Sequence, residues 1–450
     1  MGASRRMDTL ERPGSPVRSH KDDCPQLVVR SSLTNEPATD SRRNAINGLA
    51  YRRSVLSIDF GAALRMMRGA DPSSVTEILR RAAAGLRATD VVVYLIDFGQ
   101  TVLEPLPDRT SHPDLPSAED VATTLAGRCF RDQGIVSAPR DDGIRVWAPV
   151  VEGSDRTGVL AVTVPAADDA TFTACEELGL FAGYLIAAQA RCTDTYNLHR
   201  RRRSMSLAAS MQWDLLPPLV MKAGSVSIAG LLEPAYDVGG DCFDYALNGP
   251  VFDFAIMDAM GHGVGASLIA SLAMGSYRHD RREGRALEVM HRNLSATIDS
   301  YYRDASFSTG VLGRLDVATG LLHWTNAGHP LPLLIRGGHV VKELVCPPTP
   351  PWGTIAREPT VATEPLEPGD FVLLYTDGVS EARTPDGEQF GVERLINLIE
   401  KNASELLRPQ QILHTLLHAL RDHLDSDPRD DATFVLIQWE GPTNAVHSNP

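Results

Sequence analysis

Four aspartates at predicted strand ends are the residues best suited to chemistry in this chain. They are Asp241, Asp258, Asp377 and Asp430. An apolar run that ends in Asp and is followed by Gly puts a carboxylate at the rim of a sheet, where the glycine lets the backbone turn and approach a ligand. Carboxylate oxygens are hard ligands that suit Mg²⁺ or Mn²⁺ better than zinc. The pattern therefore predicts a cluster of oxygen ligands for divalent cations.

The spacing of the first two aspartates indicates what such a cluster could do. Asp241 and Asp258 are 17 residues apart, which fits two adjacent antiparallel strands joined through Asn248-Gly249-Pro250. Carboxylates at close range repel one another, so the set needs bound cations. Two divalent ions bridged by one carboxylate can hold and deprotonate a water that attacks phosphorus. That chemistry needs no nucleophilic side chain, and the sequence has no G-x-S-x-G, P-loop or C-x₅-R motif.

The bulk composition narrows the class of protein. The chain has 450 residues, 43% apolar content and a formal net charge of −14, and an acidic body argues against a nucleic-acid partner. The six cysteines show no C-x-x-C or zinc-like spacing, which is typical of reduced thiols in the cytoplasm. The longest apolar run, residues 178–190, is too short to span a bilayer, and the N-terminus lacks an apolar signal region. We therefore expect a cytoplasmic protein without a membrane partner.

The first half of the chain predicts a tail and a small α/β module. Residues 1–50 are rich in Arg, Ser, Pro and Asp, which predicts a disordered tail. Residues 51–195 predict one module, with strands at 89–96, 144–151 and 158–164 and helices at 75–86, 118–130 and 174–191. This order of elements resembles that of a GAF-type sensor domain, which implies a signalling ligand whose identity the sequence does not give.

The segment after this module predicts a helical connector. Apolar residues recur at three- and four-residue steps over 176–215, which predicts that the helix continues through this segment. It could form a short seam in a homodimer or pack back on its own module. Pro217 and Pro218 end it, because proline removes a backbone donor and restricts the preceding residue. We therefore assign residues 196–218 to a connector between two domains.

Residues 219–440 predict a second domain of the α+β class, followed by a short tail at 441–450. Strands are predicted at 225–233, 235–245, 251–258, 309–317, 320–326, 331–336, 360–365, 370–376 and 431–439, and helices at 263–279, 285–302, 390–401 and 408–424. Many strands form hairpin-like pairs, and the helices come in two separate blocks. This pattern favours antiparallel sheets covered by pairs of helices, a layered α+β sandwich.

Five motifs in this domain occur in the order of a known family. They are Asp237-Val238-Gly239-Gly240-Asp241-Cys242-Phe243-Asp244, Met257-Asp258-Ala259-Met260-Gly261-His262-Gly263, Asn326-Ala327-Gly328-His329-Pro330, Leu374-Tyr375-Thr376-Asp377-Gly378 and Asp430-Asp431-Ala432-Thr433. Together they resemble the stage-II-sporulation-E branch of the bacterial metal-dependent protein phosphatases, the PPM family. The resemblance implies a four-layer α-β-β-α sandwich and a serine/threonine phosphoprotein phosphatase with two Mn²⁺ or Mg²⁺ ions.

The resemblance also implies a role for each candidate ligand. Asp258 is expected to bridge the metals, and the carbonyl of Ala259 to bind the first. Asp377 and Asp430 are expected to bind the second metal, with Asp431 the alternative to Asp430. Asp241 is expected to bind a metal directly or through a water.

Three further residues near these motifs have two interpretations each. Asp244 is a candidate to bind a third metal or to support the direct metal ligands, or else it is a solvated carboxylate on a strand face. His262 is a proton donor to the leaving oxygen or a loop-fixing residue. His329 is a proton donor or, as we expect, a residue that holds a turn through side-chain hydrogen bonds. Relatives often have tyrosines where this chain has Cys242 and Phe243.

The sequence does not identify the substrate. Members of the branch typically dephosphorylate anti-sigma-factor antagonist proteins, so the resemblance implies a phosphoprotein substrate of that kind under the control of the sensor domain. Two alternatives remain: a metal-dependent hydrolase of a small phosphate ester, and a non-catalytic binding module on the same fold. The second predicts loss of a metal aspartate, whereas all four are present.

Overall fold

The computed structural model describes most of the chain from residue 58 onward. The described residues are 58–68, 71, 74–107, 116–234, 236, 239–302, 306–347, 349–355, 357–402, 409–424 and 431–442. The predicted tail at 1–50, most of the tail at 441–450 and Asp430 lie outside them. Within these ranges, no helix combines the length and the apolarity needed to cross a membrane.

The N-terminal part is built on a six-stranded antiparallel sheet. Its elements are α1 (Phe60–Met67), α2 (Val75–Ala82), β1 (Asp90–Ile96), β2 (Val102–Pro105), β3 (Glu119–Asp120), α3 (Leu125–Asp132), β4 (Val136–Arg140), β5 (Gly143–Glu152), β6 (Asp155–Val164) and α4 (Asp169–Ala190). The strand order is β3-β2-β1-β6-β5-β4. The chain turns between β5 and β6 at Gly153 and Ser154, as the sequence predicts.

Alternation along β1 explains why both faces of this sheet are covered. Val91, Val93 and Leu95 join the cluster beneath α2 and α4, whereas Val92 and Tyr94 join the cluster beneath α3. Successive side chains of a strand point to opposite faces, so an unbroken apolar run fits a strand that is buried on both sides.

Two helices of this part differ from the sequence prediction. The helix predicted over 118–130 begins only at Leu125, because Glu119 and Asp120 pair with β2. The continuous helix predicted over 176–215 is wrong. Three helices replace it, namely α4, α5 (Thr195–Arg200) and α6 (Leu207–Leu215).

A capping residue explains the last of these breaks. Ser206 has an extended backbone and its hydroxyl accepts a hydrogen bond from the amide of Ala209, so it starts a new helix. In α4, Leu178 and Leu185 are buried against the six-stranded sheet. The apolar stripe of this helix therefore packs back on its own module.

The C-terminal part contains two further antiparallel sheets. Its elements are β7 (Val220–Ala223), β8 (Val226–Glu233), β9 (Asp241–Asn248), β10 (Val251–Ala259), α7 (Val264–Arg282), α8 (Leu287–Tyr302), β11 (Ser308–Asp316), β12 (Leu321–Ala327), β13 (Leu333–Arg336), β14 (His339–Glu343), β15 (Ala362–Pro365), β16 (Phe371–Tyr375), α9 (Asp377–Ser380), α10 (Gly391–Asn402), α11 (Pro409–Leu424) and β17 (Ala432–Trp439). The first sheet has the order β15-β12-β11-β10-β9 and the second β14-β13-β16-β17-β8-β7.

Three apolar clusters hold this part together. One contains side chains of both sheets, such as Phe252 and Val435. A second joins the first sheet to α7 and α8, and a third joins the second sheet to α10 and α11. The mixed α+β class predicted from the sequence is confirmed. The prediction omitted β7 and β14, and it placed residues 239–240 in the strand, whereas β9 begins at Asp241.

Leu436 tests the packing of the second sheet against its helices. It lies on β17, between β16 and β8, and is fully buried in the third cluster. We expect Leu436→Ala to lower the free energy of unfolding by about 2–5 kcal/mol, because the side chain leaves a cavity. Leu268→Ala, at a position that is 50% exposed, should cost far less. Equal losses in urea denaturation of the two variants would contradict this packing.

Candidate metal centre

Asp241 and Asp258 are brought together by the register of two neighbouring strands. They are direct partners in the antiparallel pairing of β9 with β10. Side chains at partnered positions lie on the same face, with Cβ atoms about 5 Å apart. Asp241 is buried, and Asp258 is partly exposed. The register therefore confirms the predicted proximity of these two carboxylates.

The Asp241 carboxylate also joins the two sheets. Its Oδ2 accepts hydrogen bonds from the hydroxyls of Thr376, at 2.7 Å, and Thr433, at 2.6 Å. Thr376 follows β16, and Thr433 lies on β17, so both donors come from the second sheet. The Thr376 hydroxyl also accepts from the amide of Thr433. Because Oδ2 is committed to these hydroxyls, Oδ1 is the oxygen that a cation or its water could take.

Asp431 is used to fix the backbone beside Asp241. Its Oδ2 accepts from the amides of Gly240, at 2.7 Å, and Asp241, at 3.1 Å. A third donor is Nε2 of Gln212, at 2.9 Å. This carboxylate oxygen therefore anchors the turn that leads into β9.

Asp377 lies beside the same segment. It is the first residue of α9 and is exposed. Its neighbour Gly378 approaches Asp431 so closely that a Cβ would overlap the Asp431 carbonyl oxygen. A residue larger than glycine would push Asp377 away from the other carboxylates.

Ala259 also lies at this rim. Its amide donates to the carbonyl of Gly240, and a Cβ on Gly240 would lie 2.9 Å from the Ala259 carbonyl oxygen. The absence of a side chain at Gly240 thus permits the close approach of the two loops. This brings the Ala259 carbonyl, the backbone ligand expected from the sequence, next to the turn before Asp241.

The electrostatics of this rim fit a divalent cation. Burial raises the pKa of Asp241 well above its ordinary value, and the nearby carboxylates of Asp258 and Asp431 raise it further. The Thr433 and Thr376 hydroxyls lower the pKa of Asp241. Carboxylates that face one another at close range are stabilised by a bound metal ion.

The described residues hold only part of the predicted ligand set. Among them, no three His, Cys, Asp or Glu side chains form a group that could hold a metal ion. Asp430, the fourth predicted aspartate, lies outside the described residues, and Asp377 is exposed. The structure thus brings together Asp241, Asp258 and the Ala259 carbonyl, with Asp377 beside the Asp431 segment.

Asp244 is not a solvated carboxylate, and its partners argue against a role as a ligand of a third metal. Its carboxylate is buried and pairs with the guanidinium groups of Arg278, at 2.9 Å, and Arg281, at 2.7 Å. Arg278 also donates to the carbonyl of Leu215 at the end of α6. Two arginines satisfy the charge of Asp244, so it holds helices together and is a poor metal ligand.

The two histidines differ in environment. His262 is exposed near the rim. His329 is buried, its Nδ1 lies 2.9 Å from the Thr309 hydroxyl, and burial lowers its pKa to about 3. The Asn326 side chain bonds both the amide and the carbonyl of His329. These contacts are those of a turn-holding residue, as the sequence favoured.

Gln212 is the site residue that the sequence did not reveal. It lies on α6 and is buried, and besides Asp431 it contacts the backbone carbonyl of Asp241, at 2.8 Å. Its neighbour Trp213 packs on Phe98 of the N-terminal module, with ring centroids 4.8 Å apart. A lone glutamine in a predicted helix carries no signal of such contacts.

Comparisons with known proteins agree with the motifs. Residues 250–440 match the family model described as Stage II sporulation protein E (SpoIIE), so this part of the chain is similar to that family. Protein IcfG of Synechocystis sp. is 25% identical over 266 residues, covering 52% of this chain and 41% of that protein. Phosphoserine phosphatase RsbP of Bacillus subtilis is 24% identical over 242 residues, covering 52% of this chain and 58% of that protein. The chain thus spans about half the length of these two relatives.

Solved structures also match the chain. The SiaA-PP2C domain of Pseudomonas aeruginosa is 22% identical with a TM-score of 0.45, covering 52% of this chain and 94% of that one. The RsbU and RsbW domains of Rv1364c from Mycobacterium tuberculosis are 25% identical with a TM-score of 0.43, covering 50% of this chain and 63% of that one.

The raised pKa of Asp241 predicts a pH-dependent cost in the metal-free protein. The contribution of Asp241 to the free energy of unfolding is fully present below the ordinary pKa of 3.8, where the carboxyl is protonated. It is lost as the pH rises through the raised pKa that Asp241 has in the folded protein. We therefore expect Asp241→Asn to raise the melting temperature in EDTA at pH 8, and to change it much less near pH 4. With Mn²⁺ added, the wild type should gain stability and the variant little. A variant that is less stable than the wild type in EDTA at pH 8 would contradict this electrostatic account.

Removing the side-chain amide of Gln212 should weaken the contacts that position Asp241 and Asp431. Gln212→Ala takes one donor from Asp431 and one contact from the Asp241 backbone, so we expect the Mn²⁺ concentration for half-maximal binding to rise about tenfold. Isothermal titration with Mn²⁺ would measure it. The control is Gln438→Ala, because Gln438 contacts Ser227 on the second sheet. The same affinity in both variants would show that Gln212 does not position the centre.

Proposed function

We propose that this protein is a metal-dependent serine/threonine phosphoprotein phosphatase. The observation that carries the proposal is the pair Asp241–Asp258, two carboxylates in register at one sheet rim, where the Asp258 carboxylate helps to raise the pKa of Asp241. The SpoIIE-type match over residues 250–440 supports it, as do the relatives named phosphoserine phosphatases RsbP and RsbU. The three apolar clusters are consistent with a four-layer α-β-β-α sandwich.

Each ligand has a proposed role at a pair of Mn²⁺ or Mg²⁺ ions. When bound, such a pair lowers the pKa of a shared water and neutralises charge on phosphoryl oxygens. Asp258 would bridge the pair and the Ala259 carbonyl would bind the first ion. Asp377 and Asp430 would bind the second, and Asp241 would bind through Oδ1 or a water. Asp430 is favoured over Asp431 by its position in the motif, and Asp431 would hold the turn before β9 through its Oδ2.

The chain's own residues set the geometry for the reaction. Thr376 and Thr433 orient the Asp241 carboxylate from the second sheet. Asp431 fixes the turn that carries Asp241, while Gly378 lets Asp377 come close. Because these contacts come from the chain itself, they would hold the carboxylates in the fixed positions that phosphoryl transfer needs.

The proposed substrate is a phosphoserine or phosphothreonine protein of the anti-sigma-factor antagonist kind, in the cytoplasm. The proposed regulator is the N-terminal module, residues 51–195, as a GAF-like sensor of an unidentified ligand. The connector at 196–218 would transmit its state, since Trp213 contacts the module and Gln212 contacts the carboxylate rim. A homodimer through the 176–215 segment remains part of this proposal, although the buried face of α4 does not provide its seam.

Loss of single carboxylates tests the proposed activity. We expect Asp258→Asn and Asp377→Asn each to lower the Mn²⁺-dependent turnover of a phosphoserine protein by at least about a hundredfold, because each removes a metal ligand. The matched control is Asp386→Asn, which changes an exposed loop carboxylate.

The same assay separates the alternatives. Activity that survives both substitutions would overturn the metal mechanism. Turnover of p-nitrophenyl phosphate without turnover of any phosphoserine protein would favour a small-ester hydrolase. Absence of turnover on both substrates, with Mn²⁺ still bound, would favour a binding module.

A further inference from the structure

A cavity of about 330 Å³ lies where the N-terminal module meets the connector. The end of β1, the start of β6 and the last turns of α4 line it on the module side, and α5, the end of α6 and the start of β7 line the rest. Its volume is at the lower end of the range of small-molecule sites. None of the described lining residues is a candidate metal ligand, so this cavity is distinct from the metal centre.

One carboxylate in the lining has unused acceptor sites. Asp155, the first residue of β6, lines the cavity and forms no ion pair with another described residue. Burial raises the pKa of Asp155, whereas the charge of Arg200 and the backbone amide of Arg156 are among the influences that lower it. A carboxylate has about four lone-pair sites, so one backbone amide leaves most of them available to a ligand.

Arg200 supplies donor groups to the same cavity. Its Nε donates to the carbonyl of Ile96, at 2.9 Å, and its guanidinium lies over the ring of Phe98, 4.5 Å from the centroid. These contacts hold the side chain in place, and the described part of the chain leaves its two Nη groups without a hydrogen bond. Burial lowers the pKa of Arg200, and the charges of Asp155 and Asp97 raise it.

The other charged side chains of the described lining are less suited to hold a ligand. Glu152 and Asp214 are exposed, so water competes for their carboxylates. The guanidinium of Arg156 lies over the ring of Phe130, 5.0 Å from its centroid. The carboxylate of Asp155 and the guanidinium of Arg200 therefore define the polar part of the cavity.

Apolar side chains form much of the remaining wall. Leu95 comes from β1, Ile186 and Ala187 come from α4, and Leu216 directly follows α6. Leu95 and Ile186 are buried. An apolar group of a ligand would gain free energy by leaving water for this wall.

These walls specify three chemical groups in a ligand. A cation suits Asp155 and an anion suits Arg200, because hydrogen bonds between charged groups are the strong ones. The third group is apolar. An α-amino acid with an aliphatic side chain carries all three within a few bonds of one carbon atom, whereas a ligand with one charge leaves either Asp155 or Arg200 without a partner.

We propose that this cavity binds an aliphatic α-amino acid. Its ammonium group lies at Asp155, its carboxylate at Arg200, and its side chain against Ile186 and Leu216. The ligand therefore contacts the N-terminal module and the residues that follow α6 at the same time.

The position of the cavity gives such a ligand a route to the metal rim. Trp213 lines the cavity, and its neighbour Gln212 donates to the Asp431 carboxylate. A bound amino acid would thus hold α6 beside the residue that reaches the rim. This regulatory role rests on the proposed function, whereas the binding itself does not.

Three matched probes test the binding on the full-length protein. They are L-leucine, L-leucinamide, which lacks the carboxylate, and N-acetyl-L-leucine, which lacks the ammonium group. Isothermal titration calorimetry in EDTA gives each dissociation constant without turnover, so the result is independent of phosphatase activity. We expect L-leucine to bind at least about tenfold more tightly than either analogue, because each analogue loses a charge-assisted hydrogen bond.

Asp155→Asn identifies the ammonium site. We expect it to weaken binding of L-leucine by about tenfold or more and that of N-acetyl-L-leucine by less than about twofold, because only the first presents a cation to this position. The matched control is Asp142→Asn, which changes an exposed carboxylate in the turn between β4 and β5 and should leave both affinities unchanged.

A second variant keeps the test decisive. Ala187→Trp keeps both charges but fills the cavity, so it should weaken binding of L-leucine; it decides the matter if circular dichroism shows that Asp155→Asn does not fold. Failure of the wild type to bind L-leucine would overturn the proposal. So would unchanged binding of L-leucine to either folded variant, or an equal loss of L-leucine and N-acetyl-L-leucine in Asp155→Asn.

Discussion

The repulsion between the carboxylates of Asp241 and Asp258 is the constraint on which the site depends. Strand register forces the two side chains onto one face, and burial of Asp241 makes its charge costly. Thr376 and Thr433 hold one oxygen of Asp241 but bring no positive charge. A divalent cation removes the conflict, which gives a physical reason for the metal dependence proposed here.

The same carboxylate ties together parts that are distant in sequence. Asp241 begins a strand of the first sheet, and its hydroxyl partners belong to the second sheet. Gln212 of the connector contacts its backbone carbonyl, and Trp213 beside it packs on Phe98 of the N-terminal module. A change in the seating of α6 on the module would thus alter contacts at the metal rim directly. This is the structural basis for proposing that the connector carries a signal.

Most of the C-terminal fold could be predicted because its strands and helices have strong, distinct periodicities. Asp241 and Asp258 could be placed together from a hairpin turn and their spacing. The predictions that failed missed one local feature and several tertiary contacts. The break before α6 depends on the Ser206 cap, and the arginine partners of Asp244 come from α7, more than thirty residues away. Gln212 carries no local pattern, so only the fold could reveal its contacts with Asp431.

Anomalous diffraction from crystals soaked in Mn²⁺ would test the central claim most directly. The account predicts two manganese peaks at the rim of the two sheets, with Asp258 between them, the Ala259 carbonyl on one and Asp377 with Asp430 on the other. A single peak elsewhere, or carboxylates of Asp241 and Asp258 that stay directed away from any bound manganese, would contradict it.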